Sequence, residues 1–158
     1  MASLALLAAV LGTASPAPPA PEPPARALEK ERYDAVTHPG GLPADLRAGW
    51  AAALGQKELF VAAPGEPFES TDLVRPGRPR VRFIVAAVGP AYAVVHFEAG
   101  GIAHFYRATI FARRPDGPAQ VVWDGFADRR YEGFEALRSA IRGGSLWKKG
   151  RPRRTPAV

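Results

Sequence analysis

Continuous and alternating apolar runs in the second half of the chain predict a β-sheet. Four segments are rich in β-branched and aromatic residues and contain no proline, which is the composition typical of strands. They cover residues 81–88, 92–98, 102–113 and 119–123. The connections between them are short and contain glycine and proline, so neighbouring strands should run antiparallel. The pattern predicts a four-stranded antiparallel meander, with residues 58–63 as a candidate fifth strand at an edge.

Two segments with helical spacing flank this sheet. Residues 43–54 carry an apolar stripe at positions i, i+4, i+7 and i+8, and the segment ends at Gly55, a typical helix-terminating residue. Residues 131–142 carry a second stripe, with glutamates early and arginines late, an arrangement that the helix dipole favours. The order of the elements predicts an α+β domain in which an N-terminal and a C-terminal helix pack on one face of the sheet.

The composition along the chain predicts four regions. Residues 4–11 are uninterruptedly apolar and are followed by small residues, which indicates a secretory signal within residues 1–15. Residues 16–40 open with six prolines in nine residues and are predicted to form a disordered linker. Residues 41–147 should form a single folded domain, and residues 148–158 a disordered basic tail. No basic residue precedes the apolar run, so the alternative is a cytoplasmic protein with an incidentally apolar N-terminus.

The net charge of +6 is concentrated in the tail. Without the tail, the chain has 16 basic and 15 acidic residues. A short positive run is usually a solvated chain end, but it can also engage phosphates without reading a sequence. The candidate polyanion contacts are Lys148, Lys149, Arg151, Arg153 and Arg154 in the tail, with Arg75, Arg78, Arg80 and Arg82 in the arginine-rich loop.

The residue inventory excludes several kinds of site. The chain has 158 residues and no cysteine, so it forms no disulfide, cysteine nucleophile, zinc ribbon or iron–sulfur cluster. It also lacks the G-x-S-x-G, P-loop, dinucleotide-binding and H-E-x-x-H motifs. No apolar run approaches the roughly 20 residues of a membrane-spanning helix. We therefore expect a secreted or periplasmic binding module without a cofactor rather than an enzyme, with a small ligand or a protein as its partner.

One face of the longest predicted strand alternates aromatic and basic residues. The residues on that face are Phe105, Arg107, Phe111 and Arg113. This composition suits a ligand or partner surface, to which Arg80 and Arg82 would add charge. A strand that is apolar on both faces is more often central in a sheet. The favoured interpretation is therefore that a helix, or a second copy of the chain in a homodimer, covers the two phenylalanines.

A further candidate site surrounds the turn at residues 100 and 101. His96 and Glu98 share one strand face, and the register decides whether His104 joins them. A two-residue loop places His104 on the other face. A three-residue loop sets His104 directly opposite His96 and forms a two-histidine, one-carboxylate metal site. Because only one of the two registers gives that site, ordinary sheet positions are the favoured interpretation, and no metal is expected.

Overall fold

The computed structural model describes residues 26, 28, 29, 31–72 and 75–148, with the backbone alone for residues 147 and 148. The predicted signal segment, residues 16–25 of the predicted linker and residues 149–158 of the predicted tail lie outside the described residues. Within the described part, no helix is long and apolar enough to cross a membrane.

An antiparallel sheet with its strands in chain order forms the centre of the described region. The strands are β1 (Asp34–Val36), β2 (Val81–Val88), β3 (Tyr92–Ala99), β4 (Phe105–Ala112), β5 (Gln120–Ala127) and β6 (Trp147–Lys148). The four central strands each span eight residues, whereas the edge strands β1 and β6 have three and two. The predicted α+β class and the antiparallel meander are confirmed.

The structure differs from the prediction at several strand boundaries. β4 begins at Phe105, later than predicted, because residues 100–104 form the connection from β3. The expected edge strand over residues 58–63 is wrong, since Ala62 forms only an isolated parallel bridge with Arg82. The cause is local: two residues after Ala62, Pro64 has no N–H group to donate, and two residues before it, the backbone of Phe60 is hydrogen-bonded to the Gln56 side chain.

The two helices lie on opposite faces of the sheet, not on one face as predicted. They are α1 (Ala44–Ala53) and α2 (Phe134–Arg142). On one face, Trp50 of α1 shares a buried cluster with Phe111 of β4. On the other face, Leu137 of α2 shares a second cluster with Ile110. Because adjacent strand residues point to opposite faces, a sheet that is apolar on both faces needs a helix on each.

The folded region begins before residue 41, which corrects the predicted boundary between linker and domain. Leu28 is fully buried in the cluster beneath α2. β1 pairs with β2, and the Glu31 carboxylate accepts hydrogen bonds from the N–H groups of Ala91 and Tyr92 at the β2–β3 turn. The dense proline run ends at Pro24, so the residues of β1 retain the N–H groups that a strand needs.

Candidate functional site

An open cleft of about 580 Å³ lies on the α2 side of the sheet, where the long loop between α1 and β2 meets the central strands. It is lined by Pro67, Phe68, Ser70, Arg82, Glu98, His104, Tyr106 and Arg130. Small-molecule sites usually have volumes of about 300–1,000 Å³. The cleft therefore has the dimensions of a ligand site.

The register of the sheet sets three of these side chains in a row. Arg82 of β2 pairs with Glu98 of β3, which pairs in turn with Tyr106 of β4. Directly paired residues in antiparallel strands point to the same face, so the guanidinium, carboxylate and phenol stand side by side. His104 lies just before β4, and Arg130 lies in the connection from β5 to α2. Three strands, these two connections and the loop between α1 and β2 thus converge on one cleft.

Backbone contacts hold the long loop against this row. The Glu69 N–H donates to the Pro79 carbonyl at 2.8 Å, and the Gly100 N–H donates to the Arg80 carbonyl at 2.9 Å. A side chain at Gly100 would collide with the backbone of Glu69. Glycine at residue 100 therefore allows the close approach that brings Phe68 to the cleft.

The Glu98 carboxylate is the buried centre of the site, with only 2% of its side chain exposed. Its Oε1 accepts from Arg82 Nε at 2.5 Å and lies 3.6 Å from Nη1 of Arg130, and its Oε2 lies 2.9 Å from His104 Nε2. Burial alone would raise the pKa of Glu98, but the hydrogen bonds from Arg82 and His104 outweigh it and hold the pKa below its usual value. Glu98 is therefore ionised at neutral pH.

The walls of the cleft carry more positive than negative charge. Two arginines, Arg82 and Arg130, face the single carboxylate of Glu98. Arg130 also lies 2.8 Å from Glu132, but that side chain is 75% exposed, so water screens the pairing. The excess positive charge makes the cleft suitable for an anion.

Aromatic rings flank the charged groups. The Arg82 guanidinium lies over the Phe68 ring, 4.4 Å from its centroid. The His104 ring lies 6.0 Å from Phe68 and meets Tyr106 edge-on at 5.2 Å. These rings offer flat apolar surface beside the cationic groups, which suits a ligand with both an anionic and a planar part.

His96 lies behind the cleft and serves the fold. Its Nδ1 lies 2.7 Å from the Arg107 carbonyl, which can only accept, so Nδ1 carries the proton. Its Nε2 accepts from the Tyr131 N–H at 3.1 Å. Burial lowers the pKa of His96 to about 4 and keeps the ring neutral at pH 7. The ring thereby ties β4 to the segment that leads into α2.

The structure adopts neither of the two registers considered for a metal site. Ala99 pairs with Phe105, so the β3–β4 connection contains five residues, 100–104. His104 still reaches Glu98, but both ring nitrogens of His96 are occupied by backbone groups. Among the described residues, no cluster of three or more histidine or acidic side chains could hold a metal ion.

The predicted aromatic and basic face of β4 does not form an open platform. Phe111 is fully buried under α1, and the half-buried Phe105 meets Phe126 at a centroid distance of 5.3 Å. Arg107 pairs with Asp124, and Arg113 pairs with Asp45 at 2.9 Å. On this face the helix α1 therefore covers Phe111, whereas Phe105 packs against a residue of the neighbouring strand β5.

The other predicted positions are distributed between the cleft, the surface and the undescribed tail. Arg82 lines the cleft, whereas Arg80 is exposed outside it. Of the predicted tail contacts, Lys148 lies in β6, and Lys149, Arg151, Arg153 and Arg154 fall outside the described residues. Sequence reasoning missed Phe68, Tyr106 and Arg130, because no local pattern marks a side chain that long-range packing brings to a cleft.

Comparisons with known proteins identify neither a family nor a structural relative for this chain. No family model matches the chain, and neither the curated proteins nor the solved structures give a significant match. The geometry and charge of the cleft therefore carry the functional assignment.

Proposed function

We propose that the chain is an exported α+β binding module that holds a small organic anion in the cleft between the long loop and the sheet. The observation that carries this proposal is the convergence of Arg82 and Arg130 on one cleft around a single buried carboxylate. The other carboxylate beside Arg130, that of Glu132, lies outside the cleft and is 75% exposed. Within the cleft, the Glu98 carboxylate alone therefore does not balance two guanidinium groups, and a bound anion would supply the missing charge.

The pairing with Glu98 also prepares Arg82 for binding. Arg82 uses Nε for Glu98 and Nη1 for the Glu66 carbonyl at 3.3 Å, so its fork is fixed before a ligand arrives. Fixing a side chain in advance lowers the entropy cost of binding. Guanidinium groups match carboxylates and phosphates in geometry, and the adjacent Phe68 and Tyr106 rings favour an organic carboxylate with a planar part.

A charge-neutralising variant with a matched neighbour tests this proposal. Isothermal titration of the wild-type protein with benzoate at low ionic strength should give saturable binding. Arg130→Gln should weaken the affinity by about tenfold or more, because it removes a charge-assisted contact worth about 1.5–3 kcal/mol. Arg129→Gln should leave the affinity unchanged, because Arg129 is exposed and lies outside the cleft. Absence of binding, or an equal loss in both variants, would contradict the proposal.

Export is supported by the apolar run over residues 4–11 and the small residues that follow it. N-terminal sequencing of protein recovered outside the cytoplasm should begin between Ser15 and Ala20. Mature protein that stays in the cytoplasm with residues 4–11 intact would contradict export.

A second candidate function is polyanion binding through the basic tail and the arginine-rich loop. Arg75, Arg78 and Arg80 are all exposed on that loop, which favours this candidate. Arg82 does not contribute to such a surface, because it is bound to Glu98 inside the cleft. The tail contributes four further basic residues beyond Lys148.

A further inference from the structure

We infer that the cleft also transfers protons, with His104 as general base and Glu98 as the residue that orients it. The inference goes beyond binding and rests on the proposed function, because the arginines would hold the substrate. The substrate class is a small 2-oxo carboxylate with a C–H bond next to its ketone. The reaction is the reversible removal of that proton.

The hydrogen bond to Glu98 determines which nitrogen of His104 is basic. The ionised Glu98 can only accept, so His104 Nε2 carries the proton across the 2.9 Å contact, and the lone pair lies on Nδ1. His104 lines the cleft with 39% of its side chain exposed. Within the described residues, no protein group forms a hydrogen bond with its Nδ1, in contrast to His96, whose two nitrogens are both engaged.

The buried carboxylate has a second effect on His104. When Nδ1 takes up a proton, the imidazolium gains a full positive charge beside an anion that is shielded from water. A carboxylate in this position orients a histidine base and stabilises the imidazolium that forms. The edge-on contact with Tyr106 further restricts the ring.

The arginines complete the chemistry of the step. Nδ1 takes the proton from the carbon next to the ketone, the C–H electron pair forms a C=C bond, and the carbonyl π-electrons move onto oxygen. The resulting enolate oxygen is negative, and the positive charge of Arg82 and Arg130 stabilises it. Return of a proton from Nδ1 to carbon regenerates the substrate, so the step needs no oxidant, cofactor or covalent nucleophile.

Solvent exchange detects this step directly. The full-length protein is incubated in D₂O with pyruvate or phenylpyruvate, and proton NMR follows loss of the signal from the carbon next to the ketone. The wild-type protein should accelerate the exchange above the buffer rate. His104→Gln should lower the protein-dependent rate by about 100-fold or more, the usual contribution of a general base, with the affinity for the oxo acid changed by less than about threefold. His38→Gln should keep the full rate, because His38 is an exposed residue of the β1–α1 connection and does not line the cleft.

The outcomes separate this inference from the binding proposal. If the oxo acids or benzoate bind but neither oxo acid exchanges faster than in buffer, the proton-transfer inference is overturned and binding stands. Exchange that survives in His104→Gln also overturns the inference. If neither benzoate nor an oxo acid binds, the proposed function fails and the inference fails with it.

Discussion

Two buried ionisable side chains on one face of β3, His96 and Glu98, are kept in different charge states by their partners. His96 meets a carbonyl and an N–H group, which together require the neutral ring. Glu98 meets two guanidinium groups and a histidine N–H, which favour the anion. Burial disfavours the charged form of both groups, so the partners decide the outcome. His96 therefore stabilises the fold, whereas Glu98 places a negative charge in the cleft.

Acidification should destabilise the protein through His96. Its pKa is about 4 in the folded state, because of burial, against a reference value of 6.5. The unfolded chain therefore binds the proton first, and stability is lost as the pH falls through this interval. The full loss is about 3 kcal/mol, at about 1.36 kcal/mol for each pH unit. Urea denaturation at a series of pH values between 4 and 7 measures it.

A pair of histidine variants assigns this pH dependence. His96→Gln removes the titrating group and should flatten the stability profile in that interval. His38→Gln should retain the wild-type slope, because His38 is exposed. An unchanged slope in His96→Gln would show that another group causes the acid sensitivity.

At the level of the elements, composition predicts the bounds of β2 and β3 well, because each is a run of β-branched, aromatic and small apolar residues. The predicted end of β5 at residue 123 is wrong, because the strand continues to Ala127 through Asp124 and Gly125, residue types that are depleted in strands. The short strands β1 and β6 have too few residues to show the alternation of apolar and polar positions that identifies a strand. The start of β4 was misplaced because Ile102 resembles a strand residue, although it is 99% exposed in the β3–β4 connection. The placement of helices on both faces follows from neighbours such as Val94 and Val95, which are both fully buried.

The fit of α1 onto the sheet depends on Gly49. A Cβ atom there would collide with the backbone carbonyl of Ala119, whose N–H donates to the Asp45 carbonyl at 2.9 Å. Gly49→Ala should therefore destabilise the protein by about 1–3 kcal/mol, although alanine favours helices by about 1 kcal/mol over glycine. Thermal or urea denaturation measures the change.

Gly117→Ala is the matched control for this packing prediction. A Cβ at Gly117 meets no atom within 4 Å, so the substitution should alter stability by less than about 0.5 kcal/mol. A neutral or stabilising effect of Gly49→Ala would mean that α1 does not approach Ala119 as closely as described.

In the whole molecule, the cleft exists because the loop between α1 and β2, whose described residues form neither a helix nor a strand, folds back over the sheet. Glu98, His104 and Arg82 were recognisable as candidates from their residue types and local spacing. The sequence does not predict that these three side chains meet, because their meeting depends on a five-residue β3–β4 connection whose length composition does not specify. Arg130 and Phe68 reach the cleft from distant parts of the chain, and such contacts leave no short-range pattern.

Deleting residues 149–158 tests whether the chain binds polyanions through its basic tail. The deletion removes Lys149, Arg151, Arg153 and Arg154 and leaves β6 in place. If each residue contacts one phosphate, the slope of log binding constant against log salt concentration for duplex DNA should decrease in magnitude by about 3–4. Filter binding over a range of salt concentrations measures the slope. A truncated chain that binds with the same slope would exclude the tail as the contact.

Mapping a bound anion by NMR tests the central claim most directly. Benzoate is titrated into uniformly ¹⁵N-labelled protein at low ionic strength, and backbone amide and arginine Nε–H signals are followed. We expect saturable shifts at Phe68, Glu98 and His104 and at the Nε–H groups of Arg82 and Arg130, all with one dissociation constant. Residues on the α1 side of the sheet, such as Arg113, should not shift. Shifts confined to the α1 side, or no saturable shift at the cleft, would contradict the assignment of this cleft as an anion site.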